Sequence, residues 1–153
     1  MRIHSDFSGT HYRSMFDALQ LNAAYFPVHQ FGLEARVGGE LSDTYYSGFD
    51  LGLITKYYFL PQSPNLYLLG GIMFHSNAEG GGMTFSVNEN IITMPAIGLG
   101  INAQGPFYLE ALFQFGMNQD IASDTDITTP NWTIHKTKLD WILKLGAGFS
   151  WSL

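Results

Sequence analysis

The stretch "TKLDWILKLGAGFSWSL", residues 137–153, decides how the rest of the chain is read. Its odd positions from 139 onward are Leu139, Trp141, Leu143, Leu145, Ala147, Phe149, Trp151 and Leu153, with Lys138, Asp140, Lys144, Gly146 and Gly148 between them. Successive side chains of a strand point to opposite faces, so the segment is a two-faced strand. In a soluble protein the apolar row faces a core and the charged row faces water. A strand that spans a bilayer reverses the assignment, with the apolar row toward lipid and Lys138, Asp140 and Lys144 toward an interior.

The same period-two alternation recurs along the chain in eight segments: Met1 to Ser8, Met15 to Phe26, Phe31 to Leu41, Tyr45 to Leu60, Leu66 to His75, Ile91 to Asn102, Phe107 to Asn118, and the closing stretch. The apolar rows carry no charge; Phe49, Leu51, Leu53, Tyr57 and Phe59 form one of them. The opposite rows mix Gly, Asn and Gln with isolated charges, namely Glu34, Arg36, Glu40, Asp50, Lys56, Glu110, Asp140 and Lys144. Connections at one end are tight ("PVHQ", "PQSPN", "AQGP"), while those at the other, such as "SNAEGGGMTFSVNEN" and "QDIASDTDITTPNWTIHK", are mostly long. An even strand count with short turns at one end is the up-and-down arrangement of an outer-membrane barrel.

Composition narrows the choice. The 153 residues suit one domain, residues 1–153, and only 13% are charged while 15% are aromatic. Charges are about half as frequent as in ordinary soluble domains, too few to coat a globule of this size. The net charge of −6, with no basic cluster, excludes a general nucleic-acid binder. With no cysteine, disulfides and thiolate metal sites are excluded. No apolar run reaches the length of a membrane-spanning helix. The first ten residues lack the apolar core of a signal peptide, which leaves a cytosolic protein or a chain beginning after its signal; the second is expected.

Aromatic residues gather near the tight turns (Tyr25, Phe26, Phe31, Tyr57, Tyr58, Phe59, Tyr67, Phe107, Tyr108, Phe149 and Trp151), with a smaller set (Tyr45, Tyr46, Phe74 and Trp141) toward the long loops. Two girdles separated by aliphatic rows are expected where amphipathic rings settle at two membrane–water boundaries. The fold expected is therefore all-β, an eight-stranded antiparallel up-and-down transmembrane β-barrel. The competing architecture is a soluble ligand-binding barrel with an apolar interior and a polar exterior.

The segments "WILKLGAGFSWSL" (141–153), "YLEALFQFGMNQDI" (108–121) and "LITKYYFLPQSPNLYLLGGI" (53–72) resemble small outer-membrane β-barrel domains of Gram-negative bacteria, of the Bacteroidota type and of OmpA/OmpX-like architecture. The resemblance covers nearly the whole chain. It implies location in the cell outer membrane among lipid and lipopolysaccharide, and insertion by the barrel-assembly machinery, which reads a C-terminal strand usually ending in Phe or Trp. Here Leu153 is last and Trp151 stands two positions earlier on the same face. A monomer is expected, with no cofactor.

The interior charges are expected to pair across strands, because unpaired charges in a narrow barrel are costly. Arg36, Lys56 and Lys144 against Glu34, Glu40, Asp50, Glu110 and Asp140 then form a plug; the alternative is a selectivity ring in a small, porin-like pore. No enzymatic activity is expected. The competing reading is a lipid A-modifying enzyme, because "FHSN", residues 74–77, resembles the His-x-Ser-Asn motif of lipid A deacylases. In those enzymes His and Ser are one residue apart, whereas His75 and Ser76 are adjacent and so face opposite ways in a regular strand. His4, His11, His75 and His135, with Asp6, Asp120, Asp124 and Asp126, form a loop-side set that suits divalent metals chemically, but at irregular spacing; no metal site is expected. "EGGGM" at 79–83 lacks the Lys-Ser/Thr of a phosphate loop, and "NWT" at 131–133 is a sequon without meaning in a bacterium.

Overall fold

The computed structural model describes residues 2–5, 9–12, 17–41, 47–59, 66–77, 85–87, 91–102, 106–126 and 133–149. All regular structure among them is β: β1 (Arg2–Ser5), β2 (Gly9–Tyr12), β3 (Asp17–Val28), β4 (Phe31–Leu41), β5 (Ser47–Tyr58), β6 (Leu66–Asn77), β7 (Phe85–Val87), β8 (Ile91–Asn102), β9 (Phe107–Asp126) and β10 (Thr133–Phe149). They make one antiparallel sheet in the order β2-β1-β10-β9-β8-β6-β5-β4-β3, with the short β7 on β9. From β3 to β10 the long strands follow one another up and down, and β1 pairs with the last strand, Ile3 opposite Leu139.

Eight strands coincide with the eight alternating segments, and β4 and β8 do so at both ends. Two short strands, β2 and β7, arise inside stretches expected to be loops. The region 119–136, also expected to be a loop, mostly extends the hairpin of β9 and β10, with Asp126 opposite Thr133 and an exposed Lys136–Asp120 ion pair of 2.7 Å. Its large apolar residues, Ile121, Ile127, Trp132 and Ile134, are sparse among polar and small ones, so hydropathy does not separate a projecting hairpin from a loop.

The sheet curls tightly. β4 and β9 lie four places apart, about 19 Å across a flat sheet, yet Arg36 reaches Glu110 at 2.7 Å. β5 and β10 are also four places apart, and Lys144 reaches Asp50 at 2.6 Å. The concave face is therefore an interior and the convex face an exterior.

The convex rows are apolar and open: Leu51, Leu53, Ile97, Leu99, Leu109 and Leu143 are each 50–56% exposed. The concave rows hold buried Glu34, Arg36, Asp50, Lys56, His75, Glu110 and Gln114. They also hold an apolar layer of Ile54, Leu69, Met73, Met94, Leu112 and Ile142, so the interior is not the purely polar one expected from the sequence.

Two orientations differ from expectation. Leu139, expected on the exterior row, is fully buried. Register shifts in the β9–β10 ladder, including one between Leu139 and Trp141, cause this: Leu139 pairs with Gln119 but Trp141 with Phe115, so β9 carries extra residues where Met117 adopts φ 54°. Thr137 and Leu139 are buried before the slip and Ile142 after it, so Lys138 and Asp140 fall on the face opposite Leu139 and not toward the interior. Beyond Ala96 and Gln114, where the β8–β9 pairing stops, Gln119 ties the two strands together: its side-chain amide accepts from the Thr93 N–H at 3.1 Å and donates to the Thr93 carbonyl at 2.6 Å. The second difference concerns Tyr58 and Tyr67, expected in a girdle but buried, with ring centroids 5.0 Å apart.

Candidate functional site: the buried charge clusters

Glu34 and Arg36 are alternate residues of β4 on the concave face, Lys56 comes from neighbouring β5, and Glu110 comes from β9 across the interior. Their side chains close a ring of alternating charge. The Arg36 Nε donates to Glu34 Oε1 at 2.5 Å and its Nη2 to Glu110 Oε2 at 2.7 Å. Lys56 Nζ closes the ring at 2.7 Å from Glu34 Oε2 and 2.9 Å from Glu110 Oε1. Two cations and two carboxylates leave no net charge, and each carboxylate is shared by both cations. Such saturation makes burial of four ions tolerable, because an ion stripped of water needs its compensation nearby.

Tyr67 adds a neutral donor, its hydroxyl 2.8 Å from Glu110 Oε1. It stands on β6 and Glu110 on β9, so the ring must cross β8 between them. Gly100 lies opposite both residues in the two ladders, and a Cβ there would collide with the Tyr67 ring. Glycine thus opens the track along which the tyrosine reaches the carboxylate. Lys56 Nζ also sits 4.8 Å from the Tyr67 centroid and 5.4 Å from that of Tyr108, within cation–π range.

A second cluster lies nearer the long-loop end. Asp50 on β5 and His75 on β6 are directly opposite in the ladder, with His75 Nδ1 2.6 Å from Asp50 Oδ1. Lys144 from β10 donates to the other oxygen, Oδ2, at 2.6 Å. Beside the apolar layer, Gln114 is fully buried, and neither end of its amide has a hydrogen-bond partner among the described residues.

Of the charged residues expected to meet inside, Glu34, Arg36, Lys56 and Glu110 form one cluster, and Asp50 and Lys144 form another. The Glu40 side chain lies outside the described residues, and Asp140 stands at the register slip of β10. His75 and Tyr67 were missed as partners of the charges. His75 was legible from its place on the row opposite Phe74, but its partner depends on the register of β5 and β6, which no local pattern reveals.

His75 is buried while Ser76 is exposed on the other face, so the two do not form a nucleophile–base pair. Of the loop-side metal set, Asp6 lies outside the described residues, as do the side chains of His4, His11, Asp124 and Asp126. Among the described residues no group of three or more His, Cys, Asp or Glu gathers to hold a metal ion. No protein-family model, no curated protein and no solved structure matches the chain.

Proposed function

We propose that the chain is an integral outer-membrane β-barrel, a monomer held in lipid and lipopolysaccharide. Its loops face the exterior, its interior is plugged by charge, and its role is structural or binding, not catalytic. The observation that carries this reading is the inverted distribution of side chains. Large aliphatic and aromatic residues stand half-exposed along the convex rows, while Glu34, Arg36, Lys56 and Glu110 are almost wholly buried. In water the exterior would expose an apolar area far beyond the patches tolerated on soluble monomers. In a bilayer the same rows are solvated by acyl chains, and β3, β4, β5, β6 and β8, of 11–12 residues each, are long enough to cross.

The plug reading rests on the saturation of the ion ring and the apolar layer beside it. An eight-stranded barrel has an interior that side chains roughly fill, and here Met73 lies against Gly52 and Tyr67 against Gly100, closing the space that those glycines leave. Insertion of a C-terminal β-strand by the barrel-assembly machinery fits this arrangement.

Two measurements test the proposal. Protein folded into lipid vesicles is expected to migrate faster on a gel when unheated than when boiled, as closed membrane barrels do. Reconstituted into a planar bilayer, it is expected to give no stable channel. A steady ion-selective conductance would replace the plug with a pore, and absence of the mobility shift would remove the membrane barrel itself.

A further inference from the structure

The convex face of the β9–β10 pair is bounded at both ends. Phe107 stands opposite Phe149 at the short-turn end, and Phe115 stands opposite Trp141 eight residues further along. Each end is aromatic: the Phe107 and Phe149 rings lie 4.5 Å apart, and Phe113 stacks on Trp141 at 5.4 Å. Between Trp141 and Phe149 the outward row of β10 is Leu143, Leu145 and Ala147, all exposed.

The slip in the ladder ends this row. On its far side the alternation changes phase, so Leu139 is buried and Lys138 and Asp140 face outward. Lys136, next along the same face, pairs with Asp120 of β9 at 2.7 Å. The exterior therefore passes from apolar to charged within one residue, between Trp141 and Asp140. On β6 the outward row has the same length. It runs without a charge from Leu66 to Phe74 and gives way to exposed Ser76.

Eight residues span about 26 Å along a strand. At the tilt of about 35–45° usual for membrane barrels, that is about 20 Å along the bilayer normal. The hydrocarbon core of an ordinary bilayer is about 30 Å thick, and the apolar band of outer-membrane barrels is about 25 Å tall. Both would carry Lys138 and Asp140 into hydrocarbon, where a charge is costly.

We infer that the convex face is matched to a thin bilayer, with a hydrocarbon core of about 20 Å. Trp141 marks its loop-side boundary and Phe149 its turn-side boundary, with Lys138 and Asp140 among the lipid headgroups. The inference rests on the proposed barrel and adds the dimension of its lipid partner. In a thicker membrane, the lipid around β9 and β10 thins to meet the row.

The test places a lysine at successive outward positions of β10 and reads equilibrium unfolding from thin dilauroyl-phosphatidylcholine vesicles. At each position Lys is compared with Gln, so that lost packing cancels. Midway, Leu145→Lys is expected to lower the folding constant about thirtyfold or more relative to Leu145→Gln. At the boundaries, Trp141→Lys and Phe149→Lys are expected to lower it less than about fivefold relative to their Gln counterparts. Ala147→Lys against Ala147→Gln carries the central reading where the Leu145 variants do not fold. The unaltered protein is expected to have a folding constant about tenfold higher in dilauroyl than in thicker dioleoyl vesicles. Charge costs at Trp141 and Phe149 equal to that at the centre, or equal stability in the two vesicles, overturn the match and leave the barrel standing. No charge cost at either central position, with a protein monodisperse in detergent-free buffer, removes the barrel itself.

Discussion

Tyr67 and Tyr108 make the same crossing on two sides of the sheet, in opposite surroundings. Tyr67 crosses Gly100 on a strand paired along both edges and ends on Glu110 inside the buried charge ring. Tyr108 crosses Gly148 on a strand whose far edge carries no strand at that level among the described residues, and ends on Asn22, which is exposed. The first tyrosine is fully buried, while the second is half-buried, with Lys56 over its ring and Asn22 at its hydroxyl. The difference shows that the charge ring, and not the sheet edge, is where the fold concentrates its constraints.

The largest effect that would sharpen this contrast comes from opening the ring. Glu110→Ala leaves Arg36 and Lys56 buried with Glu34 as the only carboxylate of the ring, and is expected to cost about 3–5 kcal/mol in denaturant unfolding from lipid vesicles. On the convex face, Leu53→Arg, in the middle of β5, is expected to cost about 2–4 kcal/mol in vesicles. A loss of similar size in detergent-free buffer would show that the residue packs against protein and not lipid. Gly100→Ala drives the Tyr67 ring off its track and is expected to destabilise by about 1–3 kcal/mol, whereas Gly146→Ala, facing open space, should stay within about 0.5 kcal/mol. Equal costs at the two glycines would break the comparison. At Tyr108, Asn22→Ala removes one exposed hydrogen bond and is expected to cost less than about 0.5 kcal/mol.

Much of this was legible in the sequence because strand alternation is a local property. Residues such as Leu51 and Leu53 belong to the exterior row whatever their neighbours do, and Glu34, Arg36, Lys56 and Glu110 fall on the opposite row for the same reason. What was not legible depends on a second strand. Leu139 turns inward because the alternation of β10 changes phase at the slip between Leu139 and Trp141, opposite the extra residues of β9 near Met117. Tyr67, two strands from Glu110, leaves the expected girdle because Gly100 on the strand between them clears a path. The pairing of Asp50 with His75 and Lys144 needs the register of β5 against β6 and the curl that brings β10 near, and both are set by the whole sheet.

The central claim is that this sheet is built inside out, with lipid as the solvent of its exposed rows. Its most direct test is the state of the refolded protein with and without detergent, followed by light scattering and circular dichroism. A β-rich monomer is predicted in detergent or lipid, and aggregation on transfer to plain buffer. A β-rich monomer that stays monodisperse in plain buffer would contradict the account.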